Sequence, residues 1–206
     1  TLLTGENLYD NEFVFIRELL QNAIDSSRMR LFHELSNGNS TFKINAIAIT
    51  EWIDENGFQW VGVDDYGMGL NQNIIKNHLL KKGSSYYKSD YFKIQKLFYQ
   101  EKLGEEFTPI SRFGIGLLSC FILGDTIEIN THSVKIQQTN NDEEQIRLSI
   151  EGLEGQYFFQ TANDRHIPKE MPCISGAEKS LRSNLGTSIA IRINKKESYL
   201  YFKDDL

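Results

Sequence analysis

The chain has 206 residues, 40% of them hydrophobic, a formal net charge of −6 and two cysteines, Cys120 and Cys173. That length and apolar content suit one generous domain with a real core. The acidic balance gives no electrostatic support to a nucleic-acid or membrane surface, and two lone cysteines make neither a disulfide framework nor a metal site.

No apolar run is long enough to span a bilayer, and the start carries no signal-peptide pattern, so a reducing, cytoplasmic compartment is expected. The histidines His33, His78, His132 and His166 are scattered and form no zinc-like spacing. The absence of an initiating methionine suggests an excerpt from something longer.

In chain order, a short lead-in ends at Asp10 and Asn11, either of which can cap a helix running to about His33 or Leu35. Its apolar residues Phe13, Ile16, Leu20, Ala23, Ile24 and Leu31 recur at helical spacing and predict one buried face. Glu18, Asn22 and Asp25 fall at i, i+4 and i+7, which stacks them on the opposite face. Such a stripe is either a solvated surface or a place where two carboxylates and an amide meet a metal ion and a water. Ser36-Asn37-Gly38-Asn39 breaks the helix. Residues 42–50 and 58–63 predict a hairpin around the turn Asp54-Glu55-Asn56-Gly57, and its second strand runs into Asp65-x-Gly67-x-Gly69.

Residues 71–82 then read as helix, with Ile74, Ile75, His78 and Leu79 on one side. Gly83-Ser84-Ser85 ends it, and the aromatic, lysine-rich residues 86–102 predict another helix. After a loop at 104–109 comes Phe113-Gly114-x-Gly116, which leads into an apolar helix from Ile115 to near Gly124. Strands are predicted at 126–131, 134–138, 145–151, 156–161 and 187–193, with Asn140-Asn141-Asp142 as a hairpin turn. The order of elements argues for a two-layer α/β sandwich of the α+β class: helices over one face of a mixed, mostly antiparallel sheet.

Three further features suit chemistry. Glycines at Gly67 and Gly69 permit a sharp turn and close approach of a flat ligand, and Asp65 can accept from an exocyclic amine. Free amides around Gly114, Ile115 and Gly116 at a helix start suit an anion. Thr187, after Gly186, offers a hydroxyl. Each alone is equally a turn, a loop or a strand residue.

Their combination and order are more specific. Glu18-x-x-x-Asn22-x-x-Asp25, Asp65-x-Gly67-x-Gly69, Gly114-x-Gly116 and Gly186-Thr187 resemble the GHKL ATPase superfamily of gyrase, the ninety-kilodalton heat-shock chaperone, histidine kinases and MutL. Residues 15–25 and 110–119 look most like the N-terminal ATP-binding domain of the chaperone branch. The resemblance implies a single ATP-binding domain over 1–206, with a mobile lid at about 71–112, as the N-terminal part of a longer protein. It implies ATP and Mg²⁺ as cofactors and slow ATP hydrolysis, because in relatives a completing arginine comes from a following domain.

By the same resemblance, Asn22 holds Mg²⁺, Glu18 polarises the attacking water, and Asp65 accepts from the adenine amino group with Thr187 behind it. Asp25 orients the base-side network. Gly67, Met68 and Gly69 border the adenine, while Gly114, Ile115, Gly116 and Leu117 border the phosphates. Lys82, or its neighbour Lys81, stands for the lid lysine of relatives. Leu117 replaces an aromatic residue of the chaperone, and Arg28 or Arg30 stands near a helix lysine. A homodimer and a protein client are the implied partners. Alternatives are a nucleotide-gated DNA clamp of the MutL or microrchidia type, which the acidic charge disfavours, and a non-hydrolysing ATP sensor in a signalling or defence protein.

Overall fold

A computed structural model describes residues 14–81, 84–111, 116–136, 143–152, 157–161 and 181–193. Its spine is a six-stranded sheet: β1 (Ala48–Ile53), β2 (Gln59–Asp65), β3 (Thr126–His132), β4 (Gln145–Glu151), β5 (Tyr157–Thr161) and β6 (Gly186–Arg192). The spatial order is β1-β2-β6-β3-β4-β5, and every pairing is antiparallel. The fold is therefore the two-layer α/β sandwich, and among the described residues its strand pairings are all antiparallel.

The first hairpin is closed by Asp54. Its Oδ1 accepts from the amides of Asn56 and Phe58, both at 2.9 Å, and its Oδ2 accepts from the Trp60 indole at 2.9 Å. A carboxylate that satisfies three donors fixes the register of β1 on β2.

Strand alternation sorts the sheet into two faces. On the face under the helices, cross-strand partners form rows: Val61, Ile191, Ile127 and Ile150, then Val63, Ile189, Ile129, Leu148 and Phe159. Ile127, Ile129, Leu148 and Ile191 are wholly buried. The next row along carries Asp65, Thr187, Thr131 and Ile146. Within these core rows, polarity thus enters at the end where β2 leaves the sheet, while at the edge of the sheet the exposed Glu51 pairs with Val61.

Helix α1 (Val14–Ser36) lies on the apolar rows through Phe15, Leu19 and Ala23. The expected apolar face is rotated: Ile24 is exposed and Ile16 and Leu20 are half-buried, whereas Asp25, Ser27 and Met29 are buried. The physical reason is that α1 has two covered sides. One meets the sheet; the other meets α3 (Asp90–Leu103), so its polar stripe is not a solvent face.

The second side has its own core, where Met29 and Phe32 of α1 meet Met68, Phe92, Tyr99, Phe107, Val134 and Ile136. Phe32 packs edge-on against Tyr99 and Phe107. Val134 and Ile136 were expected in a strand over 134–138. The Val134 amide donates to the Met68 carbonyl at 2.8 Å, and both side chains serve this aromatic cluster; Ile136 forms a β-bridge, and residues 137–138 lie outside the described residues. Alternation there reflects packing on α3. The expected turn at Asn140-Asn141-Asp142 lies outside the described residues.

The helix expected over 71–82 is broken into α2 (Gln72–Ile74) and a π-turn (Ile75–Leu79), capped by Asn71 Oδ1 on the Ile74 amide at 2.9 Å. The helix expected over 86–102 is a 3₁₀ turn (Tyr86–Lys88) followed by α3, whose N-cap Ser89 accepts from the Phe92 amide at 3.1 Å. The apolar helix after the second glycine motif is α4 (Gly116–Ser119) continued by a 3₁₀ turn (Cys120–Ile122). Cys120 is fully buried and burial pushes its thiol up to about 12, which makes it a packing residue without thiolate chemistry. None of the described helices is long and apolar enough to cross a membrane.

Ile129 lies in the middle apolar row. Ile129→Ala is expected to lower unfolding free energy by about 2–5 kcal/mol, read as a lower denaturant midpoint with an unchanged slope.

Candidate functional site

One cavity opens between α1, the polar end of the sheet and the segment from Asn71 to Ser111. Glu18, Asn22, Ser26 and Met29 face it from α1, and Asp65, Met68 and Gly69 from the end of β2 and its turn. Thr187 and Ile189 line it from β6, His78, Tyr86 and Tyr87 from the covering segment, and Leu117 from α4. Of the expected residues, Glu18, Asn22, Asp65, Met68, Gly69, Leu117 and Thr187 share this one space. Lys82, Gly114 and Ile115 lie outside the described residues, while Gly116 opens α4. Lys81 is exposed and close enough to His78 to help lower the imidazole's pKa, after burial.

Glu18 and Asn22 are one helical turn apart on α1, so both reach the cavity on the same side. Glu18 also meets the Arg17 guanidinium at 3.3 Å.

Asp65 ends β2 and is 6% exposed. Its Oδ1 accepts from the Gly67 amide at 2.8 Å, and the Thr187 amide donates to the same carboxyl group. Burial raises its pKa to about 7, opposed by the Gly67 amide and by the positive charge of Arg182, with Asp64 pushing the same way as burial. The two amides leave part of the carboxylate's acceptor capacity free for a ligand.

Thr131 is a residue the sequence reading missed. Its hydroxyl accepts from the Leu70 amide at 2.8 Å and lies 3.1 Å from both the Gly186 carbonyl and the Thr187 hydroxyl. One proton cannot serve both neighbours. When Thr131 donates to Gly186, Thr187 donates to Thr131 and turns its own lone pairs towards the cavity.

The glycines act differently from expectation. A Cβ on Gly67 would lie 2.1 Å from Ser26 Oγ and 2.5 Å from the Ser26 carbonyl carbon. One on Gly69, whose φ is +67°, would lie 2.1 Å from the His132 carbonyl oxygen. These residues let the turn press against α1 and β3; the room they leave is taken by the protein's own chain. Ser26 completes the contact by accepting from the Met68 amide at 3.0 Å.

Asp25 also departs from its expected place. It is wholly buried, does not line the cavity, and takes the Ile110 amide on both oxygens at 2.9 Å and the Ser111 amide at 2.8 Å. Arg28 bridges Asp25 Oδ1, at 3.3 Å, to the Thr108 carbonyl, at 3.1 Å. The stripe therefore divides, with Glu18 and Asn22 on the cavity and Asp25 tying α1 to the chain just before the second glycine motif. Arg28 belongs to that tie. Arg30 pairs with Glu34 and stacks on Phe42.

Among the described residues no group of three or more His, Cys, Asp or Glu side chains is gathered to hold a metal. That donor set fits a cation that arrives with a ligand and takes one amide oxygen, and it does not fit a resident metal cage.

An antiparallel sheet under helices, with a buried strand-end aspartate, glycine turns and a helix bearing Glu18 and Asn22 around one cavity, defines a GHKL-type α/β sandwich. No family model matches the chain. Curated relatives do. It is 30% identical over 130 residues to the chaperone protein HtpG of Aliivibrio fischeri, covering 62% of this chain and 19% of that protein. It is 27% identical over 152 residues to HtpG of Clostridium acetobutylicum, covering 72% of this chain and 22% of the relative. Against the mitochondrial TNF receptor-associated protein 1 homolog of Dictyostelium discoideum it is 33% identical over 135 residues, 64% of this chain and 18% of the other. The chain is thus homologous to the heat-shock chaperone branch of the GHKL superfamily, and it spans about a fifth of the length of these relatives.

Gly67→Ala is expected to cost roughly 3 kcal/mol or more, because the contact it forces is with Ser26 backbone as well as with its side chain. Chemical denaturation measures it, and Ser26→Ala in the same background is expected to recover only part of the loss.

Proposed function

We propose that the chain is the ATP-binding and ATP-hydrolysing module of a chaperone-like GHKL protein. The observation that carries this reading is the shared cavity: an acid and an amide from α1 face the same space as a buried strand-end carboxylate and its threonine neighbours. Homology to HtpG chaperones over 130–152 residues supports it independently.

In this reading the adenine lies at the sheet end. Its amino group donates to Asp65, which is ionised above about pH 7, and Thr187 takes a second polar contact directly or through water. Met68, Met29 and Ile189 give the base an apolar setting that excludes water and strengthens that hydrogen bond. The phosphates extend towards α4 and the lower part of α1. Asn22 would hold Mg²⁺ by its side-chain oxygen, with the remaining positions left to phosphates and waters. When bound, the ion neutralises phosphate charge.

Glu18 then acts as the general base. It orients a water and takes one of its protons as the oxygen attacks the γ-phosphorus; the bond to the β–γ bridging oxygen breaks, and ADP and phosphate result. The segment at about 71–112 is the lid that closes over the nucleotide, tied down at its end by Asp25. In the longer protein, lid closure is coupled to dimer switching and client binding. Turnover by this segment alone is expected to be slow.

Two measurements test this. Isothermal calorimetry with Mg-ATP is expected to give at least tenfold weaker binding for Asp65→Asn, about 1.4 kcal/mol or more for a charge-assisted hydrogen bond. Wild-type affinity is expected to fall as pH falls through about 7, because protonation removes the charged acceptor; equal binding by both proteins contradicts the adenine assignment. Separately, Glu18→Ala is expected to bind ATP normally and to abolish phosphate release in a longer protein, by about 10²-fold or more. Unchanged turnover removes Glu18 as the base.

A further inference from the structure

We propose that Arg182 is a positioning residue for base recognition: from the far face of the sheet it clamps the Asp64–Asp65 corner of β2 and supplies the positive charge that keeps the Asp65 carboxylate available as an acceptor. The proposal rests on the assignment of Asp65 above.

Arg182 is 4% exposed, and four of the five N–H donors of its guanidinium have partners. Nη2 donates to the Asp65 carbonyl at 2.7 Å, Nη1 to Asp64 Oδ1 and to Ser188 Oγ, and Nε to the Asn184 carbonyl at 2.9 Å. Its own amide donates to Asn130 Oδ1 at 2.9 Å, and the guanidinium lies 5.0 Å from the centre of the Tyr66 ring. Ser188 Oγ donates to Asp64 Oδ1 at 2.8 Å, which closes the ring of contacts.

Adjacent strand residues point to opposite faces, so Asp64 and Asp65 cannot share one partner through their side chains. Arg182 resolves this by taking the carboxylate of the first and the main-chain carbonyl of the second. The planar fork can hold both at once, which an ammonium cannot. A buried Asp64 alone would add a second negative charge beside Asp65; paired with Arg182, its repulsion is offset by the guanidinium held against the Asp65 carbonyl. The groups acting on Asp65 are Asp64 on its own strand, Arg182 behind the sheet and the Gly67 and Thr187 amides. Across the cavity, the Tyr87 phenol has its pKa raised first by burial and then by Asp25, Tyr86 and Asp65. From α1, Glu18 faces the same space.

The test is carboxyl titration of Asp65 by ¹³C NMR in the 206-residue chain without nucleotide, together with Mg-ATP affinity as a function of pH. Arg182→Met is expected to raise the Asp65 midpoint by about one pH unit or more. Affinity at pH 7 is expected to fall about fivefold and to recover once pH exceeds the new midpoint. Arg182→Lys keeps the charge and loses the fork, so the midpoint should stay near that of the wild type while affinity falls evenly at every pH.

An Asp65 midpoint and pH profile unchanged in Arg182→Met would overturn the proposal and leave Arg182 a structural ion pair only. If Arg182→Met does not fold, Arg182→Met combined with Asp64→Asn removes both charges. The midpoint is expected to rise there as well, because Asp65 loses the cation held against its own carbonyl; no rise overturns the proposal in that background too. Failure of the wild type to bind ATP would refute the functional reading, and the nucleotide-free titration would still decide whether Arg182 controls Asp65.

Discussion

A carboxylate withdrawn from water at the end of a strand is the constraint on which the rest of the site depends. Burying Asp65 costs charge stability, visible in a pKa near 7, and the surroundings offset that cost only in part. Two backbone amides and a counter-charge through the sheet keep it in place, and none of them covers the side of the group that faces the cavity. The same position inside an apolar row would exclude a charge outright. Because the core rows under the helices turn polar at Asp65, Thr187 and Thr131, the cavity acquires one polar floor beside apolar walls.

Helix α1 links this floor to the rest of the domain. Its first half packs on the sheet through Phe15, Leu19 and Ala23, and its second half carries Met29 and Phe32 into the aromatic cluster beneath α3. Between them, Glu18 and Asn22 face the cavity while Asp25 is committed to the Ile110 and Ser111 amides. A displacement of the segment that ends at Ser111 would thus be felt on the helix that carries Glu18. Ser26, which receives the Met68 amide and fills the space beside Gly67, ties the glycine turn to the same helix.

Much of this was legible in the sequence because it is local. The break at Gly38, the hairpin around Asp54 and the glycine turn after Asp65 each follow from short-range turn and cap chemistry, and the ordered motifs carried the family resemblance. What escaped depends on distant partners. Nothing near Thr131 or Arg182 announces a role, since their neighbours are set by the register of β3 on β6 and by a loop returning to β2. Periodicity misassigned Ile24 because α1 is covered on two sides. It read Val134 as strand because alternation cannot distinguish a sheet face from an aromatic cluster. Asp25 looked like one of three equivalent stripe residues; only the position of Ile110 separates it from the other two. Gly67 and Gly69 were correctly read as tight spots, but the object pressed against them is the protein itself.

In the proposed function this cavity holds ATP with its base on Asp65 and its phosphates towards α1. The most direct measurement is a crystal structure of the chain with a non-hydrolysable ATP analogue and Mg²⁺. The adenine amino group is expected within hydrogen-bond distance of the Asp65 carboxylate, the cation on the Asn22 side-chain oxygen, and Glu18 facing the γ-phosphate. A nucleotide bound elsewhere, or one seated here with its base away from Asp65, would contradict it.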